Sequence, residues 1–348
     1  MKKMDVIHLP FELWTLIFDL LDIKVQVRLI QLCKTIKDKI FITDLCRIDH
    51  KLKKKLNGGI IKKYPYIKRL DAGWYSKIED QDLVGLNLIK LTADNNPRIK
   101  KINHMTNLKV LNAGGYCGID DDSLAGLNLV ELNAWHNSKI KKINHMKNLR
   151  ILYAEENCGV NDDSLVGLNL VELNAYNNPN IIKINHMTNL RILNASWRSG
   201  IGDDDLVGLN LIKLYAYNNP KIKNINHMTN LRKLNAGDDC GIGDDDLIGL
   251  NLVELNASNN KKIKNINHMT NLRKLNAGGD CGIGDDDLIG LNLVELNASN
   301  NKKIKKINHM TNLRILHAEE DGCGIGYDDL VGLNLVELYP NNNQKLIY

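Results

Sequence analysis

One spacing governs this sequence. The tetrapeptide Ile-Asn-His-Met recurs from Ile102, Ile143, Ile184, Ile225, Ile266 and Ile307, each 41 residues after the last. A chain that copies one short unit this faithfully builds a stacked array, because a single unit cannot bury its own apolar side chains and its neighbours must do so. The unit itself divides in two. Its first half is marked by Leu231, Leu234, Ala236, Cys240, Ile242, Asp244, Leu247 and Leu250, and its second by Leu252, Leu255, Ala257, Asn260, Ile263, Ile266 and Met269. Counted in these halves, fourteen turns of 20 to 22 residues run from Ile67 to the end of the chain.

Within a half, alternation places Leu255 and Ala257 on one side of a strand and Glu254 and Asn256 on the other. The pattern L-x-x-L-x-A-x-x-N/C resembles the leucine-rich repeat, with Ala standing for the third Leu. That resemblance implies an α/β solenoid with a parallel sheet on its concave face and a continuous apolar core behind it. Turns this short leave little room for a full helix, so 3₁₀ or single-turn segments are expected on the convex face, started by residues such as Asp244 and Asp285. Asn96, Asn137, Asn178, Asn219, Asn260, Asn301 and Asn343 hold one place in seven alternate turns. Their amides are expected to form a structural ladder that satisfies backbone groups stranded where the chain leaves each strand. Five of the seven cysteines, Cys117, Cys158, Cys240, Cys281 and Cys323, also mark one repeat position, which Ser199 fills in the skipped turn. They read as reduced, partly buried thiols rather than a disulfide framework. Pro340 replaces the inward Ala in the last turn, which is expected to fray and to lack a dedicated cap.

The first residues follow a different period. Leu13, Leu16, Ile17, Leu20 and Leu21 recur as on one helix face, and Val25, Leu29, Leu32, Cys33, Ile36 and Ile40 repeat the rule. Pro10 suits the first turn of a helix. Leu9-Pro10-x-Glu12-Leu13, Ile17-Phe18, Leu20-Leu21-Asp22, Arg28 and Leu32-Cys33-Lys34 resemble the F-box signature in order and spacing. A tryptophan common after the Cys-Lys pair is replaced by Thr35-Ile36-Lys37. Together with the repeats, the chain resembles the F-box/leucine-rich-repeat proteins, substrate receptors of SCF-type ubiquitin ligases. The resemblance implies an all-α docking module over residues 1–50 that meets a Skp-type adaptor, and through it a cullin, using Leu9, Pro10, Ile17 and Leu21. Leu9, Phe11, Trp14 and Phe18 are expected to face outward for that purpose. A basic connecting segment over 51–66, with Lys51 to Lys55, Lys62 and Lys63, would lead to the solenoid over 67–348.

Composition narrows the function classes. The chain has 46 basic and 41 acidic residues, a near balance that argues against nucleic acid as the partner. No run approaches the length of a membrane span, and the N-terminus lacks the apolar core of a signal peptide. An intracellular protein of the cytoplasm or nucleus, monomeric outside its complex, is therefore expected. His104, His145, His186, His227, His268 and His309 fall two turns apart, about 10 Å at ordinary strand spacing and too far to share a zinc ion. The acidic runs Asp120–Asp122, Asp203–Asp205, Asp244–Asp246 and Asp285–Asp287 lack the nine-residue period of calcium-binding repeats and, set against Lys261, Lys262 and Lys264, read as a solvated charge ladder. No catalytic constellation stands out from the repeat, so neither enzyme activity, metal nor cofactor is expected.

The repeat is broken instead by aromatics. Outward strand positions, elsewhere Asn, Lys, Glu, Ser or Gly, become Trp135, His136, Tyr153, Glu155, Glu156, Tyr176, Trp197, Tyr215 and Tyr217, while Trp74 stands apart. Tyr and Trp beside charged neighbours dominate interface hot spots, so these residues are expected to form one concave patch for a protein target. The reading is a substrate-recognition subunit. Its competitor is a plain repeat scaffold whose helices serve only as a cap. Near-identical copies such as 225–265 and 266–306 point to recent duplication, so that some turns are expected to be spacers.

Overall fold

A computed structural model describes residues 11–32 and 40–346. The chain divides into two compact units, residues 1–149 and 150–348.

Among the described residues the first unit begins with helices α1 (Phe11–Leu20) and α2 (Ile23–Leu32). Two one-turn helices follow, α3 (His50–Lys53) and α4 (Gly58–Ile61). Each starts where a side chain accepts a free backbone N–H: Asp49 from Leu52 at 2.8 Å, and Asn57 from Ile60 at 3.1 Å. Five parallel strands lie side by side in chain order: β1 (Asp44–Leu45), β2 (Arg69–Asp71), β3 (Lys90–Thr92), β4 (Val110–Asn112) and β5 (Glu131–Asn133). Strand β1 precedes the first repeat legible in the sequence, yet Leu45 pairs in register with Leu70. The second unit carries ten more parallel strands, from β6 (Ile151–Tyr153) to β15 (Glu337–Tyr339), again in chain order.

Register follows from one leucine per strand. Leu70, Leu91, Leu111 and Leu132 align across the first unit, and Leu173, Leu193, Leu214 and Leu234 across part of the second. A slip of one residue would turn every such leucine to solvent. All of these are buried, while the residues flanking them are half-buried, or exposed at Arg69 and Tyr215. The alanine after each strand from β2 to β14, Ala72 to Ala318, is fully buried. The fold is thus a leucine-rich-repeat solenoid.

Beyond the alanine the chain needs a left-handed residue to turn. Asn95, His136, Asn177, Asn218, Asn259 and Asn300 take positive φ in one half of the repeat, and Tyr75, Gly115, Glu156, Trp197, Asp238, Gly279 and Glu320 in the other. Trp135, His136, Glu155, Glu156, Tyr176, Trp197 and Tyr217 therefore lie past their strands, not at the strand positions assigned from alternation, because the strands end three residues in and the bend follows at once; of the nine, Tyr153 and Tyr215 lie within strands.

The buried asparagines hold these bends. Asn137 Nδ2 donates to the carbonyls of Ala113 (2.8 Å) and Ile119 (3.0 Å), and its Oδ1 accepts from Lys139 N (3.1 Å). Asn260 does the same with Ala236 (2.7 Å), Ile242 (3.1 Å) and Lys262 N (2.9 Å). One amide thereby satisfies two carbonyls of the preceding turn and one N–H of its own.

On the convex side, alternate turns carry a four-residue segment. It is α-helical at Asp80–Leu83, Asp121–Leu124, Asp162–Leu165 and Asp203–Leu206, and 3₁₀ at Asp244–Leu247, Asp285–Leu288 and Tyr327–Leu330. The acidic runs are more than a solvated ladder. Asp121 Oδ1 accepts from Lys141 N (2.6 Å) and Lys142 N (2.8 Å), and Asp285 Oδ1 from Lys305 N (2.7 Å) and Lys306 N (2.9 Å). Asp246 accepts from Gly243 N at 2.8 Å, closing the start of its own turn. A charge run in sequence does not reveal that its carboxylates face backbone donors of the next turn.

Candidate functional site

Helix α1 is apolar on two faces, and the structure separates them. Phe18 is buried at 2% exposure, and the loop after it is fixed by Gln26, whose Nε2 donates to the carbonyls of Phe18 (2.7 Å) and Leu21 (3.1 Å). The opposite face presents Leu13, Leu16, Ile17 and Leu20 to solvent, with Leu16 and Leu20 at 61% and 79% exposure. Their 3, 4, 7 spacing makes one continuous aliphatic stripe. An uncovered stripe of this kind is characteristic of a surface that meets a partner.

Of the residues expected to contact an adaptor, Ile17 lies on the stripe and Leu21 is half-buried at the helix end. Leu9 and Pro10 lie outside the described residues, as does the side chain of Phe11. The expectation that Phe18 faces outward is reversed, and Trp14 is half-buried. Periodicity could not choose between the two apolar faces; only packing beneath Phe18 does.

The aromatic positions fall in both units. In the first, the Trp135 and His136 rings lie 5.7 Å apart, and Tyr116 meets His136 edge-on at 5.8 Å. Tyr116, 77% exposed, was not picked out from the sequence. In the second unit, Tyr153, Glu155, Glu156, Tyr176, Trp197, Tyr215 and Tyr217 fall on four consecutive turns. The Tyr153 hydroxyl donates to Glu172 at 3.2 Å, and Tyr176 meets Trp197 edge-on at 6.3 Å. The Glu155 carboxylate accepts from Asn174 Nδ2. Burial, with Glu156 alongside, raises the pKa of Glu155. A hydrogen bond with Asp238 and partial burial push the Tyr217 phenol up to about 12.

A shallow depression of about 370 Å³ lies on the outer strand face from Tyr215 to His317. It overlaps the near-identical copies 225–265 and 266–306 and begins at Tyr215, one of the expected target-binding residues. Two cross-strand ion pairs line it, Lys233–Glu254 at 2.6 Å and Lys274–Glu295 at 2.7 Å. Beside them runs a row of asparagines whose Oδ1 atoms each accept from the N–H two residues on: Asn235 from Gly237, Asn256 from Ser258, Asn276 from Gly278 and Asn297 from Ser299. The signal was present in the sequence as Asn at every third strand position, but it looked like repetition.

The remaining reactive side chains are structural. Cys117, Cys158, Cys240, Cys281 and Cys323 are fully buried rather than partly so. Burial pushes the Cys158 thiol up to about 12 and those of Cys117, Cys240 and Cys281 to about 11, so all are protonated at neutral pH and unreactive as nucleophiles. His145 Nε2 lies 3.2 Å from the Leu124 carbonyl, and His186 and His227 repeat that contact. Among the described residues no group of His, Cys, Asp and Glu could hold a metal ion. None of their helices is long and apolar enough to cross a membrane.

No protein-family model matches the sequence, and no curated protein matches it. Solved structures do share the fold. The functional domain of InlJ from Listeria monocytogenes, described as including a cysteine ladder, is 22% identical with a TM-score of 0.53, covering 80% of this chain and 63% of that one. Rad7 in complex with Elc1 from yeast is 17% identical with a TM-score of 0.50, covering 88% and 92%. A TLR13–ssRNA13 complex is 17% identical with a TM-score of 0.52, covering 89% and 45%.

Proposed function

We propose that this chain is a binding protein that recruits a target to a ubiquitin ligase, without chemistry of its own. The observation that carries the reading is the stripe of Leu13, Leu16, Ile17 and Leu20, left in water on a helix whose other face is packed. A helix serving only as a cap has no need of a second apolar face. In this reading α1 docks on a Skp-type adaptor that joins a cullin, with Ile17 and Leu21 among the contacts, and with Leu9 and Pro10 beside them in sequence. The target is a protein, held by the aromatic and acidic positions Trp135, His136, Tyr153, Glu155, Glu156, Tyr176, Trp197, Tyr215 and Tyr217. The solved complex of Rad7 with Elc1 lends support, since a chain of this fold is there joined to a second protein.

The test is calorimetry with a purified Skp-type adaptor. Wild-type binding should weaken about thirtyfold or more in Ile17→Ala/Leu20→Ala, the loss of roughly 2 kcal/mol expected for central anchors. Absence of wild-type binding would leave a second reading, a repeat scaffold capped by its helices. Burial of Phe18, Ile40, Ile42 and Leu45 in the first unit favours that second reading.

A further inference from the structure

A second cluster of exposed rings occupies the first unit, on residues that neither the helical stripe nor the target-binding positions use. Trp74 and Tyr75 are each about half exposed, at 50% and 51%. Tyr75 adopts φ 73, one residue beyond the place where Gly115 and Gly279 turn the chain in later repeats. A bulky side chain in left-handed backbone is unfavourable, and such outliers gather at ligand-binding positions. Contacts over-determine this one. The His50 ring meets Tyr75 edge-on at 4.6 Å, the Trp74 ring lies 5.6 Å away, and Lys54 Nζ sits 5.1 Å from the Tyr75 ring centre. With Ile48, Lys53 and Asp71, the rings of His50, Trp74 and Tyr75 line an open depression of about 500 Å³.

Charge selects the occupant. The acid of the lining, Asp71, is spent on Lys53 at 2.6 Å and on the Gly73 N–H at 3.0 Å. Lys54 sits over the Tyr75 ring, and Lys51, Lys55 and Lys77 are exposed on the same two segments of chain that carry His50, Trp74 and Tyr75. An aromatic floor with a cationic rim complements a ligand with an apolar or aromatic side chain between carboxylates. We propose that Trp74, Tyr75, His50 and Lys54 form a docking site for an acidic linear segment of a partner protein. Its apolar side chain lies against the rings and its carboxylates meet Lys51, Lys54 and Lys55. The site is independent of the adaptor reading.

The probe is a short peptide of Glu and Asp around one Phe, titrated into the full chain by calorimetry, with a Lys-for-acid counterpart as control. Binding of the acidic peptide should weaken at least about tenfold in Trp74→Ala and in Lys54→Glu, and should fall as salt rises. Tyr75→Gly separates binding from folding. It removes the ring but relieves the backbone, so affinity should drop while the unfolding midpoint holds or rises. Ile17→Ala/Leu20→Ala should bind the peptide as wild type does, which keeps this test distinct from adaptor docking. The proposal is overturned if wild type fails to bind the acidic peptide or binds the Lys peptide equally well. It is also overturned if Trp74→Ala and Tyr75→Gly bind like wild type, or if single-stranded oligouridylate displaces the peptide at lower concentration than the peptide itself requires.

Discussion

Glu320 has φ 71 and an exposed side chain at the bend that Gly115 and Gly279 occupy elsewhere. Left-handed backbone costs a residue with a Cβ about 1–2 kcal/mol, and glycine returns about half of that as lost chain entropy. Glu320→Gly should therefore raise the unfolding midpoint, by about 0.5 kcal/mol of stability in urea titration; an unchanged or lowered midpoint would mean that the bend carries no strain. Trp197, at the corresponding bend with φ 61, also makes an edge contact with Tyr176, so its replacement by Gly should gain less. Ser199 poses the reverse problem. It is fully buried where five other turns hold Cys, and its hydroxyl accepts only a long 3.4 Å contact from Ile201 N. Ser199→Cys exchanges a poorly satisfied hydroxyl for a thiol and should stabilise by about 1 kcal/mol. A destabilised variant would show that the hydroxyl is better satisfied than its geometry implies.

At the scale of the element, the convex turns balance capping against burial. Asp205, Asp246 and Asp287 accept from their N-cap glycines, yet burial foremost, with neighbouring aspartates, raises their pKa above the usual 3.8. A carboxyl whose folded pKa is raised binds its proton more tightly in the native state. Its penalty is thus full at neutral pH and disappears as pH falls through the folded pKa. Ser123 shows the alternative, its Oγ accepting from Asp120 N at 3.1 Å without a charge. Asp246→Ser should gain about 0.5 kcal/mol at pH 7, and the advantage over wild type should shrink as pH falls towards about 4. A gain constant across that range would assign the effect to something other than ionisation. These elements also mark what the sequence could say. Strand positions and the buried Leu, Ala and Asn were legible because each recurs with one role. The roles of the acidic residues were not, since the same Asp can face solvent or a backbone N–H of the next turn. The outward face of α1 was hidden for a related reason: Phe18 and Leu16 are both apolar, and only the packing of the first unit separates them.

At the scale of the whole molecule, stacked repeats hold together through nearest neighbours, so the consequence of a change depends on where in the array it falls. Asn260 lies within the second unit, between well-buried turns, and bonds two carbonyls of the preceding turn. Asn343 makes the equivalent bonds to Ala318 (2.8 Å) and Ile325 (3.2 Å), but its strand β15 is exposed along its length. Asn260→Ala would leave two buried carbonyls and one N–H without a partner, at about 1–3 kcal/mol for each group left unsatisfied. Water can reach β15 and compensate part of that loss in Asn343→Ala. Hydrogen exchange should then show Asn260→Ala losing protection over its own turn and both flanking turns, with more distant turns of the unit unchanged. In Asn343→Ala the loss should be smaller and confined to the final turn. Uniform loss of protection in either variant would mean that the unit opens as one cooperative body. Binding positions would in that case be coupled over the whole unit, and a target held at Tyr153 would stabilise turns as distant as Cys323.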